Sequence, residues 1–368
     1  VLGYPRCVMR PRTRPAFLGV GLALACNPAQ GDPPPFTTMA PPMPETISTG
    51  GADTSTGSSS TGGAEGSSTS TTGSSGGTTL LLDVGSREDV GPVQPPGCKG
   101  KIDFLFVISR WAGMEYFQKQ LLDAFPKFID TIEAKFADFD YHIMVVDGDP
   151  DWGLAPCDEQ CAMNGWCEVP GYPCWYVDEI EACDATIGAG VVFPAGYGAS
   201  NVACDIDGGR RYMTREQADL KSVFACAAQV GSSGDAWMGE ALTAALKPGI
   251  NGAGGCNEGF LRDDALLMVT MISNTYDYGP KPMGSKGTPA TWAAALLEAK
   301  HDDPDSIVLF SVLDPGEPEC HENDRTCQMV KMFPHRLLIE RAEPDYGPAF
   351  EQATELVAAV CASFVPPG

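Results

Sequence analysis

The stretch "IDFLFVISRWAGM" (102–114) decides the fold that the sequence predicts. It contains the continuous apolar run "FLFVI", which is typical of a strand buried on both faces of a parallel sheet. The run ends in Ser109, Arg110 and Trp111, and Gly113 then precedes a helical pattern. Because ligands of open α/β sheets bind beyond the carboxyl ends of the strands, this corner is the first candidate for a functional site.

Three further apolar runs have the length of strands: "YHIMVV" (141–146), "ALLMVTMI" (265–272) and "SIVLFSVL" (306–313). Between the first two strands, apolar residues recur every three or four positions over residues 114–136. This spacing predicts an amphipathic helix, and Pro126 should kink it. Strands that alternate with helices predict an α/β fold with a doubly wound, mostly parallel sheet and helices on both faces.

Other helices have recognisable starts. Thr288 before Pro289 predicts an N-cap followed by a first-turn proline. Thr214 with Gln217 has the form of a capping box. A final helix is expected to bury one apolar side, formed by Phe350, Ala353, Leu356, Val357, Val360 and Cys361.

The opening stretch, the helix after it and "YHIMVV" resemble the start of a von Willebrand factor A-type domain, especially in its exported versions. "DDALLMVTMISNTYDYG" (263–279) and "GTPATWAAALLEAK" (287–300) resemble that family's central strand and the helix that follows it. The resemblance covers residues 98–365, with a cysteine-rich insertion at about 147–211. It implies a central sheet with helices on both faces, a metal-ion-dependent adhesion site at its top, binding of proteins, and no catalysis.

The resemblance places the family's metal motif on residues that lack its charge. The Asp-x-Ser-x-Ser element falls on Ser109, Trp111 and Gly113, and the later aspartate falls on Asn274. The threonine loop falls within "GSSGDAW" (231–237), and its register leaves three alternatives: Ser232, Ser233 and Asp235. Mg²⁺ requires carboxylate charge and near-octahedral oxygen ligands. We therefore expect a degenerate adhesion site that binds no divalent ion and offers these positions to a partner.

Trp111 has two interpretations. An indole exposed at the end of a strand would anchor a partner, since Trp is enriched in interface hot spots. An indole folded back over the helix would instead cap the core, because large aromatic side chains are mostly buried. The sequence leaves both open.

Residues 1–25 have the form of a secretion signal, in which arginines precede the short apolar run at 16–25. Ten residues are too few to span the ~30 Å hydrocarbon core of a membrane. The sequence "LALAC", which ends at Cys26, resembles a bacterial lipobox. That resemblance implies lipid attachment at Cys26 and anchoring of the exported chain to the bacterial cell envelope, at the outer membrane or cell surface. The alternative is an ordinary signal peptide with a coincidental cysteine.

Residues 26–97 are expected to form the attachment site and a disordered tether. The segment is rich in Ser, Thr, Gly and Pro, and 71 residues of such coil span roughly 45–50 Å. Removing residues 1–25 takes away four arginines and no acidic residue, so the net charge falls from −24 to −28. This charge disfavours nucleic acid and favours cations and basic partners.

The cysteines agree with export. Of the 14 cysteines, all except Cys7 and Cys26 lie from Cys98 onward, which predicts a disulfide framework, including a small closed loop at 320–327. A zinc site is the alternative for one cluster, but its spacings differ from the paired two-residue spacing of zinc ribbons. That cluster comprises Cys157, Cys161, Cys167, Cys174 and Cys183.

An acidic loop follows the second strand. Asp147, Asp149 and Asp151 alternate, and Asp158 follows, in a spacing close to a calcium loop of the EF-hand type. However, Trp152 stands at the glycine position, and Asp158 replaces the bidentate glutamate. Calcium binding and a plain acidic surface loop remain alternatives.

No catalytic motif is recognisable: the chain lacks G-x-S-x-G, H-E-x-x-H and a phosphate loop. His142 lies within a predicted strand, which favours a hydrogen-bonded core histidine. The leading hypothesis is a binding or adhesion lipoprotein and not an enzyme. The partner of this lipoprotein is expected to be a protein or an envelope ligand. The alternatives are a calcium-dependent surface module and a cell-envelope hydrolase.

Overall fold

The computed structural model describes residues 100–149, 174–279, 284–313 and 320–364. The strands within these ranges are β1 (Lys101–Ile108), β2 (Asp140–Asp147), β3 (Met213–Thr214), β4 (Leu266–Ile272), β5 (Ile307–Leu313) and β6 (Arg336–Glu340). They form a six-stranded sheet in the order β3-β2-β1-β4-β5-β6. Every neighbouring pair is parallel except β2 and β3, so the sheet is mixed and mostly parallel, as the sequence predicts.

The helices flank this sheet. Those described are α1 (Met114–Lys135), α2 (Leu220–Ala228), α3 (Met238–Ala245), α4 (Pro248–Asn251), α5 (Pro289–Glu298), α6 (Arg325–Val330) and α7 (Gly347–Ser363). None of these described helices combines the length and the apolar character that crossing a bilayer requires.

The sheet separates two hydrophobic cores. Phe104 and Phe106 of β1 face the core formed with α1, α2 and α7. Leu105 and Val107 face the opposite core, formed with α3, α5 and α6. Successive side chains of a strand point to opposite faces, and here both faces are covered, which explains why β1 is apolar at nearly every position. The α/β fold with helices on both faces is confirmed.

β1 lies in the middle of the sheet. Its residue Ile102 pairs with Tyr141 of β2 on one side and with Leu266 of β4 on the other. The four predicted strands correspond to β1, β2, β4 and β5. β3 and β6, which form the two edges, were not predicted.

Local signals at helix starts gave mixed results. Thr288 caps α5 as predicted, because its hydroxyl accepts the Thr291 N–H at 3.3 Å. The capping box at Thr214 is wrong, since Thr214 ends β3, where it pairs with His142 of β2. Gln217 instead accepts the Asp207 N–H at 2.9 Å, and α2 begins only at Leu220. The predicted first helix, α1, continues beyond Pro126 as one element.

Disulfides fasten the described part of the insertion, residues 174–211, to the rest of the fold. Cys183 bonds to Cys256 in the segment that precedes β4, and Cys204 bonds to Cys226 of α2. This part consists of loops and the short 3₁₀ helices Cys174–Glu179 and Asp207–Gly209. Covalent bonds therefore supplement a small local core.

The remaining described cysteines are also bonded. Cys320 and Cys327 close the predicted small loop, and Cys174 and Cys361 are disulfide-bonded as well. Because Cys174 and Cys183 are both in disulfides, neither thiolate is free for the zinc alternative. The other cysteines of that cluster, and Cys98, lie outside the described residues.

A charged network holds the amino end of the central strand. Asp103 of β1 is fully buried, and its carboxylate lies 2.8 Å from the Arg262 guanidinium. Burial raises the pKa of Asp103 to about 6, although Arg262 opposes this shift. His142 donates from Nδ1 to the Phe260 carbonyl at 2.9 Å, and burial lowers its pKa to about 4. His142 is thus a hydrogen-bonded, neutral core histidine, as expected.

Candidate binding site at the carboxyl edge of the sheet

The strand order reverses between β1 and β4, and a crevice for ligands is expected beyond the carboxyl ends of such a pair. Four segments meet at this edge, and we call them the crown: residues 109–113, 147–149, 231–237 and 273–277. Residues 109–113 follow β1, residues 147–149 lie at the end of β2, and residues 273–277 follow β4. Residues 231–237 precede α3. The predicted candidate positions after β1 and β4 are therefore brought together.

Ser109 is fully buried at the base of the crown. Its hydroxyl accepts the Trp111 N–H at 3.1 Å, and its own N–H donates to the Ile272 carbonyl at 3.0 Å. Gln118 of α1 donates to the Ser109 carbonyl at 3.3 Å. The hydroxyl thus shapes the turn between β1 and α1.

Asn274, which follows β4, forms a hydrogen bond to that turn. Its Nδ2 donates to the Ala112 carbonyl at 2.8 Å, while its Oδ1 is buried and has no hydrogen-bond partner among the described residues. Gly113 supplies the left-handed backbone, with φ of 88°, that starts α1. A Cβ at Gly113 would lie 3.3 Å from Asn274 Nδ2, so the two loops are in tight contact.

No role for Arg110 follows from the sequence pattern, and the structure places this residue at the centre of the crown. Its side chain is buried, and its guanidinium lies 3.5 Å from the Asp147 carboxylate at the end of β2. It also donates to the Ala195 carbonyl in the insertion. The backbone of Arg110 bonds to Asp235 and Gly234, with distances of 3.3 and 2.9 Å. The "GSSGDAW" loop therefore lies beside the turn after β1, as the resemblance implies.

The buried Arg110 guanidinium is therefore a positive charge within the crown itself. Burial raises the pKa of Asp147 to about 6, and the Arg110 guanidinium limits the rise. A guanidinium beside a carboxylate favours the ionised carboxylate over the neutral acid. The Arg110 side chain links the turn after β1, the end of β2 and the insertion. These segments are distant in sequence, so no local pattern could have revealed the contact.

The two described residues of the calcium loop both have partners within the protein. Asp147 pairs with Arg110, and the Asp149 carboxylate accepts the Asp235 N–H at 3.0 Å. Asp151 and Asp158 lie outside the described residues. Among the residues described, no three His, Cys, Asp or Glu side chains are arranged to hold a metal ion.

Trp111 is exposed, with 45% of its surface accessible. This exposure is what the interpretation of the indole as a partner anchor requires, and it favours that interpretation over a cap on the core. Two other aromatic side chains are exposed, Tyr116 in the first turn of α1 and Tyr197 in the insertion. Tyr197 is fixed to the crown by its N–H, which donates to the Ser233 hydroxyl at 3.1 Å.

Glu115 joins the same network. A hydrogen bond from Ser232 lowers the pKa of Glu115, so the carboxylate is held toward the "GSSGDAW" loop.

Asp277 serves another purpose. It is buried, accepts the Gly239 and Ser285 N–H groups at 2.9 and 2.7 Å, and lies 3.7 Å from the Arg325 guanidinium. These bonds anchor the loop after β4 to the start of α3. They use the carboxylate that could otherwise have replaced the missing charge at Asn274.

No family model and no curated protein matches the chain.

Proposed function

We propose that the chain is an exported, lipid-anchored binding protein of the bacterial cell envelope. Its folded part is a von Willebrand factor A-type domain that binds a partner through the crown without a divalent ion. The mostly parallel sheet, with its single antiparallel edge strand and two helical layers, supports this family assignment. The anchor at Cys26 and the tether at 26–97 rest on sequence, since both lie outside the described residues.

The exposure of Trp111 carries the proposal. Exposing a large apolar side chain to water is unfavourable, and a partner that covers Trp111 at this ligand-binding edge would remove that cost. Trp anchors are among the residues that contribute most to protein interfaces. The surrounding loops are tied by hydrogen bonds, so little ordering entropy opposes binding.

The chemistry of the ligand positions supports a crown without metal. Ser109 and Asn274 supply no negative charge, and the Asn274 amide nitrogen is directed to a carbonyl. The nearby Arg110 guanidinium would repel a divalent cation. These residues do not fit Mg²⁺, which needs anionic oxygen ligands to offset its dehydration.

The test compares wild type with Trp111→Ala and Trp111→Phe in envelopes that carry the intact protein. Chemical cross-linking should capture a partner with wild type, and Trp111→Ala should lower the yield about tenfold or more, as loss of a hot spot does. Trp111→Phe should retain part of the binding. Val202→Ala, at a residue of similar exposure within the insertion, serves as the control. Equal capture by Trp111→Ala and wild type, or a large loss of melting temperature in Trp111→Ala, would contradict the proposal.

A further inference from the structure

β6 is the free edge of the described sheet. It pairs with β5 on one side and with no described strand on the other. Every residue of β4 and β5 is buried, whereas the β6 residues are exposed or half-buried. An edge strand presents unpaired N–H and C=O groups that can pair with another chain.

The sequence of β6, "RLLIE", is complementary to itself in antiparallel pairing. A two-fold axis through Leu338 places Arg336 of one copy opposite Glu340 of the other, and Leu337 opposite Ile339. Arg336 and Glu340 are both exposed. Opposite charges directly across two strands are stabilising, and the symmetry creates this pair twice.

An exposed apolar side chain and a hollow with a mixed polar and apolar lining flank the strand at opposite ends. Met332, before the amino end of β6, is 56% exposed. A hollow of about 400 Å³ lies at the carboxyl end, where Leu338, Ile339, Pro348 and Ala349 form its apolar part and Glu340 and Gln352 belong to its polar part. Leu338 and Ile339 pack against opposite cores, so the hollow lies at the edge of the sheet and not on one face.

The same two-fold axis relates these features. In an antiparallel pair centred on Leu338, the amino end of one β6, which Met332 precedes, lies beside the carboxyl end of the other, which the 343–345 segment follows. Glu343 and Asp345 form the rim of the hollow there. Each copy therefore offers both an exposed apolar side chain and a place for its counterpart.

We propose that two copies of this chain pair through β6 and form one continuous sheet across a two-fold axis at Leu338. The occupant of the β6 edge is thus a second copy. The net charge of each chain, −24 in the full sequence and −28 without residues 1–25, opposes association, but at about 0.15 M salt charges beyond ~8 Å are largely screened. Dimerisation should accordingly strengthen as salt rises from low concentration.

Charge reversal tests the register. In sedimentation velocity on the intact chain, with density-matched detergent, wild type should form dimers at micromolar concentration. Arg336→Glu and Glu340→Arg should each weaken self-association about tenfold or more, because each sets like charges opposite one another twice. An equimolar mixture of the two variants should associate again, since every cross-strand pair in the mixed dimer is then opposite in sign.

Two further variants complete the design. Lys119→Glu makes the same charge change as Arg336→Glu on the exposed face of α1, and it should leave the dimer intact. Met332→Asp acts at an exposed side chain, so it tests the contact even if Arg336→Glu unfolds the protein. A monomeric wild type at all concentrations, or a dimer that resists the single reversals and Met332→Asp alike, would overturn the proposal.

Discussion

Replacing Arg262 by alanine should destabilise the fold far more at pH 8 than at pH 5. Asp103 has no exposed surface, and Arg262 holds it through its guanidinium and through its backbone N–H at 2.8 Å. Raising the pKa of Asp103 from 3.8 to about 6 means that ionisation already costs about 3 kcal/mol. Removing one partner of a buried ion pair typically costs 3–5 kcal/mol.

The sign of the pH dependence follows from the direction of the shift. A carboxyl whose folded-state pKa is raised binds its proton more tightly in the native state, so its contribution to stability is lost as pH rises through the folded pKa. Without Arg262 the pKa of Asp103 rises further above 6, and the loss extends to higher pH. At pH 5, which lies below the raised pKa, Asp103 is mostly protonated in the folded state of both proteins. His142, whose pKa Arg262 also lowers, becomes easier to protonate in the variant, which reduces the difference at pH 5 further.

The assay is urea unfolding of wild type and Arg262→Ala at pH 5 and pH 8. The free energy of unfolding should fall by about 3–5 kcal/mol at pH 8 and by clearly less at pH 5. Lys101→Ala is the matched control, because the Lys101–Asp264 pair at 2.7 Å is partly exposed and its loss should cost at most about 1 kcal/mol. A cost for Arg262→Ala that equals the control, or that does not shrink at pH 5, would refute the reasoning.

Three further predictions concern the anchor, the disulfides and the ions. Cys26→Ser should release the protein from membranes into the soluble fraction, since one lipid site is the only proposed anchor; equal membrane retention of this variant would contradict it. Thiol titration of the denatured, unreduced protein should find no free thiol among the eight described cysteines, and labelling at any of these positions would contradict this prediction. Reduction should lower the free energy of unfolding by about 2–4 kcal/mol per bond. Calorimetry with Mg²⁺ and Mn²⁺ should give no saturable heat, whereas binding that vanishes in a Ser109→Ala, Asn274→Ala variant would show that the crown is a metal site. Calcium should leave the melting temperature unchanged, and an increase with concentration would instead favour the acidic-loop alternative, because a ligand of the native state raises its stability.

The parts of the fold that the sequence predicts are those with strong local periodicity. β1, β2, β4 and β5 are apolar at nearly every position because both faces of each strand are covered. β6 is short and carries charges at both ends, and β3 has two residues, so neither produces a detectable pattern. The capping box at Thr214 failed because pairing with β2 outweighed a local helix signal.

The site was predicted in position but not in its interactions. Ser109 and Asn274 follow neighbouring strands, and strand ends meet at one edge of a parallel sheet, so their proximity could be inferred. The Arg110–Asp147 pair depends on how the turn after β1 meets the insertion. Such contacts between distant segments leave no signal in one sequence.

The pairing of β1 with β4 has a consequence for how the chain is made. Ile102 of β1 can pair with Leu266 of β4 only after Leu266 has been synthesised. At a synthesis rate of about 5–20 residues per second, that takes roughly 10–30 s longer. During that interval one edge of a strand that is buried on both faces in the folded protein has no native neighbour, and exposed strand edges promote aggregation. The native pairing of β1 is therefore complete only after β4 has been synthesised.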